Sequence, residues 1–225
     1  MVTQLDVEDS LRLGRESRSF EVKGAGSITD KQYVARVVRA VMAMGNLRDG
    51  GQVCLGIDDD QMATMKPGLS PAQVAEWTDY DNVSDQLARY CDPPVSFHLH
   101  HFKLSSDAEV VVLDVEEFDI DLHICKKDYP GVLQAGQTYV RPRGKPQSSQ
   151  VPSLVDMRDL HNLAIDKASA STSAAPSTRA CHSPCPHRSP PNSRTLPRST
   201  PRLLRRGLHR PRSTTPSATY SRLAS

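Results

Sequence analysis

The chain has 225 residues, with 28 Lys and Arg against 26 Asp and Glu, a net of +2. No run of 18 apolar residues exists, which excludes a membrane-spanning helix, and the opening MVTQLDVEDS has neither the basic nor the apolar region of a secretory leader. Five scattered Cys, an odd number, are not a disulfide framework, so the expected location is cytoplasmic. The near-neutral total hides a segregation of charge. From residue 168 onward there are ten Arg, no Lys and no acid, so this stretch carries +10 and residues 1–167 carry −8. The same stretch holds nine Pro and twelve Ser and lacks Val, Ile, Phe, Met, Trp and Gln. A segment of that composition cannot bury enough apolar surface to offset its ordering entropy. The expectation is one domain over residues 1–167, large enough for its own core, and a disordered basic tail rich in Ser, Pro and Arg over 168–225.

In chain order, a helix is expected from Val7 to Leu13, stopped by Gly14. In Phe20-Glu21-Val22-Lys23 apolar and polar residues alternate, the pattern of a strand with one polar face. Thr29 with Gln32 fits a capping box. The helix it starts runs to about Met44, with Tyr33, Val34, Val37, Val38, Val41 and Met42 on one stripe. Val53 to Ile57 is a continuous apolar run, as in a strand buried on both faces. Two short helices follow, over Ala72–Asp79 and Asn82–Tyr90. Val95–Leu104 and Glu109–Phe118 read as a hairpin around Ser105-Ser106-Asp107. Tyr139–Arg141 reads as a strand, and Ser153 caps a last helix carrying Leu154, Met157, Leu160 and Leu163. The order predicts an α+β fold with a mixed sheet and flanking helices.

The chemistry sits in acids near the first strand–helix–strand unit. Parallel pairing of its strands brings Glu16, Glu21 and the aspartates after Ile57 towards one rim. Clustered carboxylates repel one another unless a cation joins them, and hard oxygen ligands suit Mg²⁺ or Mn²⁺. Such an ion polarises a phosphodiester and activates water. Acids at loop edges are also ordinarily just solvated, and spacing alone leaves both readings open.

These residues carry a resemblance. Glu16-Ser17-Arg18-Ser19-Phe20-Glu21-Val22-Lys23 resembles the E-S-x-x-x-E-F-K signature of Schlafen-type, Alba-like domains. Ala43-Met44-Gly45-Asn46 resembles that family's A-F-A-N helix end, and Gly50 to Asp59 its G-G-x-x-x-I-G-V-D-D block. Thr138 to Gly144 resembles its Y-x-R-x-G segment. The blocks stand in the family's order; Val22 for Phe, and Met44-Gly45 for Phe-Ala, are departures. The resemblance implies nucleic-acid binding, with RNA favoured and DNA possible. Some members are metal-dependent endoribonucleases acting on tRNA and rRNA. Their catalytic, metal-holding carboxylates match Glu16, Glu21 and Asp59, with Mg²⁺ or Mn²⁺ as cofactor. Other relatives are described as DNA-binding or nucleotide-binding transcriptional regulators, which is the alternative reading. Larger members carry two lobes around a positive groove, so a homodimer is expected to complete the single lobe here.

Lys23, Arg141, Arg143 and Lys145 are candidate phosphate contacts, since Lys and Arg position a backbone without reading sequence; as charges alone they fit a solvated loop equally. The −8 of residues 1–167 restricts any binding to a local basic groove or to the tail. Gly24-Ala25-Gly26-Ser27 resembles part of a phosphate-cradling loop but lacks the Lys-Ser/Thr ending. His98 and His100 share a strand face and read as surface histidines. Cys181, Cys185 and His187 have loose metal-like spacing that chance explains better, and Trp77 reads as core.

Overall fold

A computed structural model describes residues 2–144 and 147–173. Along it run α1 (Gln4–Arg12), β1 (Phe20–Lys23), α2 (Lys31–Gly45), β2 (Gly51–Leu55), a 3-10 helix (Asp59–Thr64), α3 (Pro71–Thr78), α4 (Tyr80–Ala88), β3 (Cys91–Asp92), β4 (Phe97–Lys103), β5 (Glu109–Val115), β6 (Ile124–Cys125), β7 (Tyr139–Val140), β8 (Ser149–Gln150) and α5 (Leu154–Ser173). The fold is α+β, as expected. Its main sheet has the order β1-β2-β5-β4. β1 and β2 pair in parallel, with Glu21 opposite Val53, while β5 is antiparallel to both β2 and β4, so the sheet is mixed.

Both faces of the central strands are covered, which is why they read as unbroken apolar runs. Val53, Leu55, Val111, Leu113 and Val115 pack under α2, α3 and α4 with Trp77. Cys54, Val110 and Val112 pack on the other face with Phe20, Val22 and the α1 residues Val7 and Leu11. The hairpin of β4 and β5 forms as expected. Asp30, rather than Thr29, caps α2, its side chain accepting the N–H groups of Gln32 and Tyr33; one residue of extra reach decides which side chain meets the free amides. Gly14 ends α1 with φ of +64°, the left-handed stop that glycine adopts without a side-chain clash.

The last helix departs from expectation. Leu160 and Leu163 are buried, but Leu154 and Met157 are exposed, so the expected stripe is only half used. α5 also continues past residue 167 to Ser173; six residues assigned to the tail are helical, because Ala and Ser after Lys167 do not stop a helix already formed. The rest of the expected tail, with Cys181, Cys185 and His187, lies outside the described residues. Cys54, Cys91 and Cys125 are buried free thiols, and burial pushes Cys54 and Cys91 up to about 12. Among the described residues no helix is long and apolar enough to cross a membrane.

Candidate functional site

Alternation along β1 buries Phe20 and Val22 on one face of the sheet and turns Glu21 to the other. Glu21 is only 3% exposed. A buried carboxylate needs partners, and it has three. Its Oε2 accepts from Arg141 Nη1 and from the Ser148 hydroxyl, each at 2.5 Å, and Lys23 Nζ pairs with its Oε1. Glu16 arrives from the loop before β1. Its Oε1 accepts the Val22 N–H at 3.0 Å and its Oε2 lies 3.4 Å from Arg141 Nη1. The two glutamates are therefore brought together.

From the sequence Arg141 is a candidate phosphate contact that fits a solvated loop equally. It is instead buried, 1% exposed, and its guanidinium is spent within the protein. Besides the two glutamates it donates to the carbonyls of Ser17 (2.5 Å), Arg18 (3.1 Å) and Phe20 (3.2 Å). The planar five-donor fork fits this convergent set of acceptors, which one ammonium does not match. Asn46 makes a second tie: its amide donates to the carbonyls of His123 (2.9 Å) and Tyr139 (3.0 Å), and its Oδ1 accepts the His123 N–H. Three of the sequence blocks are thus stitched together by two buried side chains.

Asp59 stands apart. It is exposed at the start of the 3-10 helix and lines a depression of about 300 Å³ with Asp58, Lys23, Tyr33, Arg36 and Arg39. Among the described residues no hydrogen bond or ion pair links it to Glu16 or Glu21, and no group of three His, Cys, Asp or Glu is placed to hold a metal ion. As arranged, the three carboxylates do not fit Mg²⁺ or Mn²⁺. The clustered carboxylates do have cations between them, but the chain itself supplies these as Arg141 and Lys23.

Glu16 has the unusual electrostatics. Burial pushes its carboxyl up to about 7, helped by the charge of Glu21 and opposed by Lys23, Arg141 and the Val22 N–H. It lines an open depression of about 200 Å³ whose other walls include Arg15, Arg18 and Arg143. Arg143 is exposed and pairs with Asp159 at 2.8 Å; Lys145 lies outside the described residues. Arg15, Arg18, Arg36 and Arg39 were not singled out from the sequence. Arg15 and Arg18 line the depression at Glu16, and Arg36 and Arg39, on the helix after β1, line the one at Asp59.

The glycine turn after β1 is filled by protein groups. The Gly24 carbonyl accepts from the Tyr33 hydroxyl and the Gly26 carbonyl from Trp77 Nε1, while Glu76 accepts from the Ser27 hydroxyl and the Ile28 N–H. The carboxylate takes the position an anion would need. His98 lies 3.1 Å from Glu116, an exposed pair.

Mixed sheet, crossover helix and stitched blocks together define an α+β domain built around a buried charge clamp of two glutamates, an arginine and a lysine. The chain belongs to the Schlafen AlbA_2 family, whose model matches residues 16–148. No curated protein matches the chain. Solved structures similar to the chain include the following two. The crystal structure of the DIP2311 protein of Corynebacterium diphtheriae has a TM-score of 0.44 and 12% identity, over 66% of this chain and 26% of that one. The solution structure of the N-terminal domain of an ATP-dependent DNA helicase RecG-related protein from Nitrosomonas europaea has a TM-score of 0.42 and 21% identity, over 64% of this chain and 94% of that domain. This chain thus spans about a quarter of the Corynebacterium protein.

Proposed function

We propose that the domain binds nucleic acid, RNA in preference to DNA, by seating the phosphate backbone on Arg15, Arg18 and Arg143 around Glu16. Membership of a Schlafen AlbA_2 family supports a nucleic-acid-related role. The observation that carries the site is the arginine-rimmed depression on an otherwise acidic domain. Phosphates are positioned by such a rim without being read. The Glu16 carboxyl in its wall disfavours a phosphate directly over it but hydrogen-bonds a 2′-hydroxyl, the group that separates RNA from DNA. A second copy completing the groove belongs to this reading, and sedimentation of the full chain should show a dimer. Competition between tRNA and duplex DNA for the full chain tests the preference; equal affinity for both counts against it.

RNA cleavage at the same depression is the second reading. It is favoured by Glu16, a carboxyl titrating near neutrality and open to solvent on one side, as a general acid or base requires. Joining Glu16, Glu21 and Asp59 on a divalent ion requires Lys23 and Arg141 to yield Glu21. Incubation of tRNA with Mn²⁺ or with EDTA separates the cases. Cleavage only with Mn²⁺, lost in Asp59→Asn, supports the three-carboxylate metal site. Cleavage in EDTA, lost in Glu16→Gln, supports Glu16 alone. No cleavage in either leaves a binding module.

A further inference from the structure

The helix α5 lies beyond the residues that match the family. It forms one wall of a cleft of about 470 Å³. Its Asp156, Asp159 and Asp166 are three and seven residues apart and so share one helix face. Arg18, Arg48 and Arg143 line the same cleft. Two pairs are closed, Arg48 with Asp166 and Arg143 with Asp159, each at 2.8 Å. Asp159 and Asp166 stand about 10 Å apart along the axis, the axial span of about three phosphates on one duplex strand. The apolar anchorage is slight: Leu160 and Leu163 are buried, while Leu154, Val155, Met157 and Ile165 are exposed. Exposed ion pairs hold weakly and yield to competing anions.

We propose that α5 is a displaceable acidic cover, occupying with its carboxylates the arginines that a nucleic-acid backbone takes when it binds. This rests on the nucleic-acid reading above, because Arg18 and Arg143 belong to both the rim and the cleft. Bound backbone displaces Asp159 and Asp166, extends the arginine row to Arg48, and frees the helix. Nucleic acid too short to reach Arg48 leaves the cover in place.

The test uses the full chain with poly(U), so that residues 168–225 are common to every comparison. In Asp156→Asn/Asp159→Asn/Asp166→Asn, binding should tighten about 2- to 30-fold, the range two exposed ion pairs are worth. A control with the same charge change, Asp85→Asn/Asp119→Asn/Asp121→Asn, should gain less. Hydrogen exchange supplies a readout free of substitutions: amides of residues 154–166 in the unaltered chain should exchange faster when poly(U) is added. Equal gains in both variants, or binding with α5 exchange unchanged, overturns the cover and leaves the proposed function standing. No binding by any of the three overturns the proposed function, and the cover with it.

Discussion

Glu16→Gln should stabilise the domain at high pH and do nearly nothing at low pH. The glutamine keeps an oxygen for the Val22 N–H and removes only the charge. Glu16 is pushed from an ordinary 4.5 up to about 7, first by burial and then by Glu21. A carboxyl raised in the folded state binds its proton more tightly there than in the unfolded chain. Its ionisation therefore opposes folding. The penalty is absent below about pH 4.5, grows as pH rises to about 7, and is complete above. At 1.36 kcal/mol per pH unit the full penalty is about 3 kcal/mol. Between about pH 5 and 8 the stability difference between variant and wild type should widen by about 2–3 kcal/mol. Urea unfolding midpoints at the two pH values measure it. A difference that stays constant, or that shrinks as pH rises, refutes the reasoning: Arg141 and Lys23 would then outweigh burial, and Glu16 would be an ordinary ion-paired carboxylate.

Arg141→Met leaves two glutamates without their shared cation and the Ser17 and Arg18 carbonyls without its N–H groups, while the Phe20 carbonyl keeps the Ser17 N–H; breaking a buried pair costs about 3–5 kcal/mol, so thermal melting should fall by about 10 °C, and a change of a degree or two would show the clamp to be ornamental. Asn46→Ala orphans the His123 and Tyr139 carbonyls and the His123 N–H and should cost about 3 kcal/mol in urea unfolding; an unchanged midpoint would mean that water replaces the amide. Burial holds the His123 imidazole below its ordinary 6.5, with the Pro93 carbonyl pulling the other way. The unfolded chain thus takes up a proton that the folded chain refuses, and stability contributed by this group is lost as pH falls below about 6.5. His123→Leu should flatten that limb of the stability profile, and an unaltered limb would assign it to other groups.

What the sequence made legible was whatever depends on local pattern. The parallel β1–β2 unit, the hairpin of β4 and β5 and the buried run Val53 to Ile57 follow from local pattern, and so does Trp77, an aromatic within a short helix. Glu16 and Glu21 were found because they sit five residues apart around one strand entrance. What periodicity does not encode is which charge answers which. Arg141 is 120 residues from Glu21, and nothing near it in the chain distinguishes a buried clamp from a phosphate contact. Asn46 was visible only as a helix end, although its amide joins segments 77 and 93 residues away. The Arg15, Arg18 and Arg143 rim likewise comes from the loop before β1 meeting the loop after β7. α5 misled in a different way: its leucines have helical spacing, but only Leu160 and Leu163 find a surface to cover.

The central claim is that nucleic acid engages the arginine rim around Glu16. Its most direct test is the salt dependence of poly(U) binding by the full chain and by Arg15→Gln/Arg143→Gln, Arg18 being left intact because its Nε donates to the Arg141 carbonyl. Each neutralised phosphate contributes about −0.7 to the slope of log K against log salt for single strands. Loss of both contacts should therefore weaken binding and make the slope shallower by about 1.4. An unchanged affinity and slope would contradict the account and place binding away from the rim, at other cations such as the ten arginines of residues 168–225 or Lys23, Arg36 and Arg39.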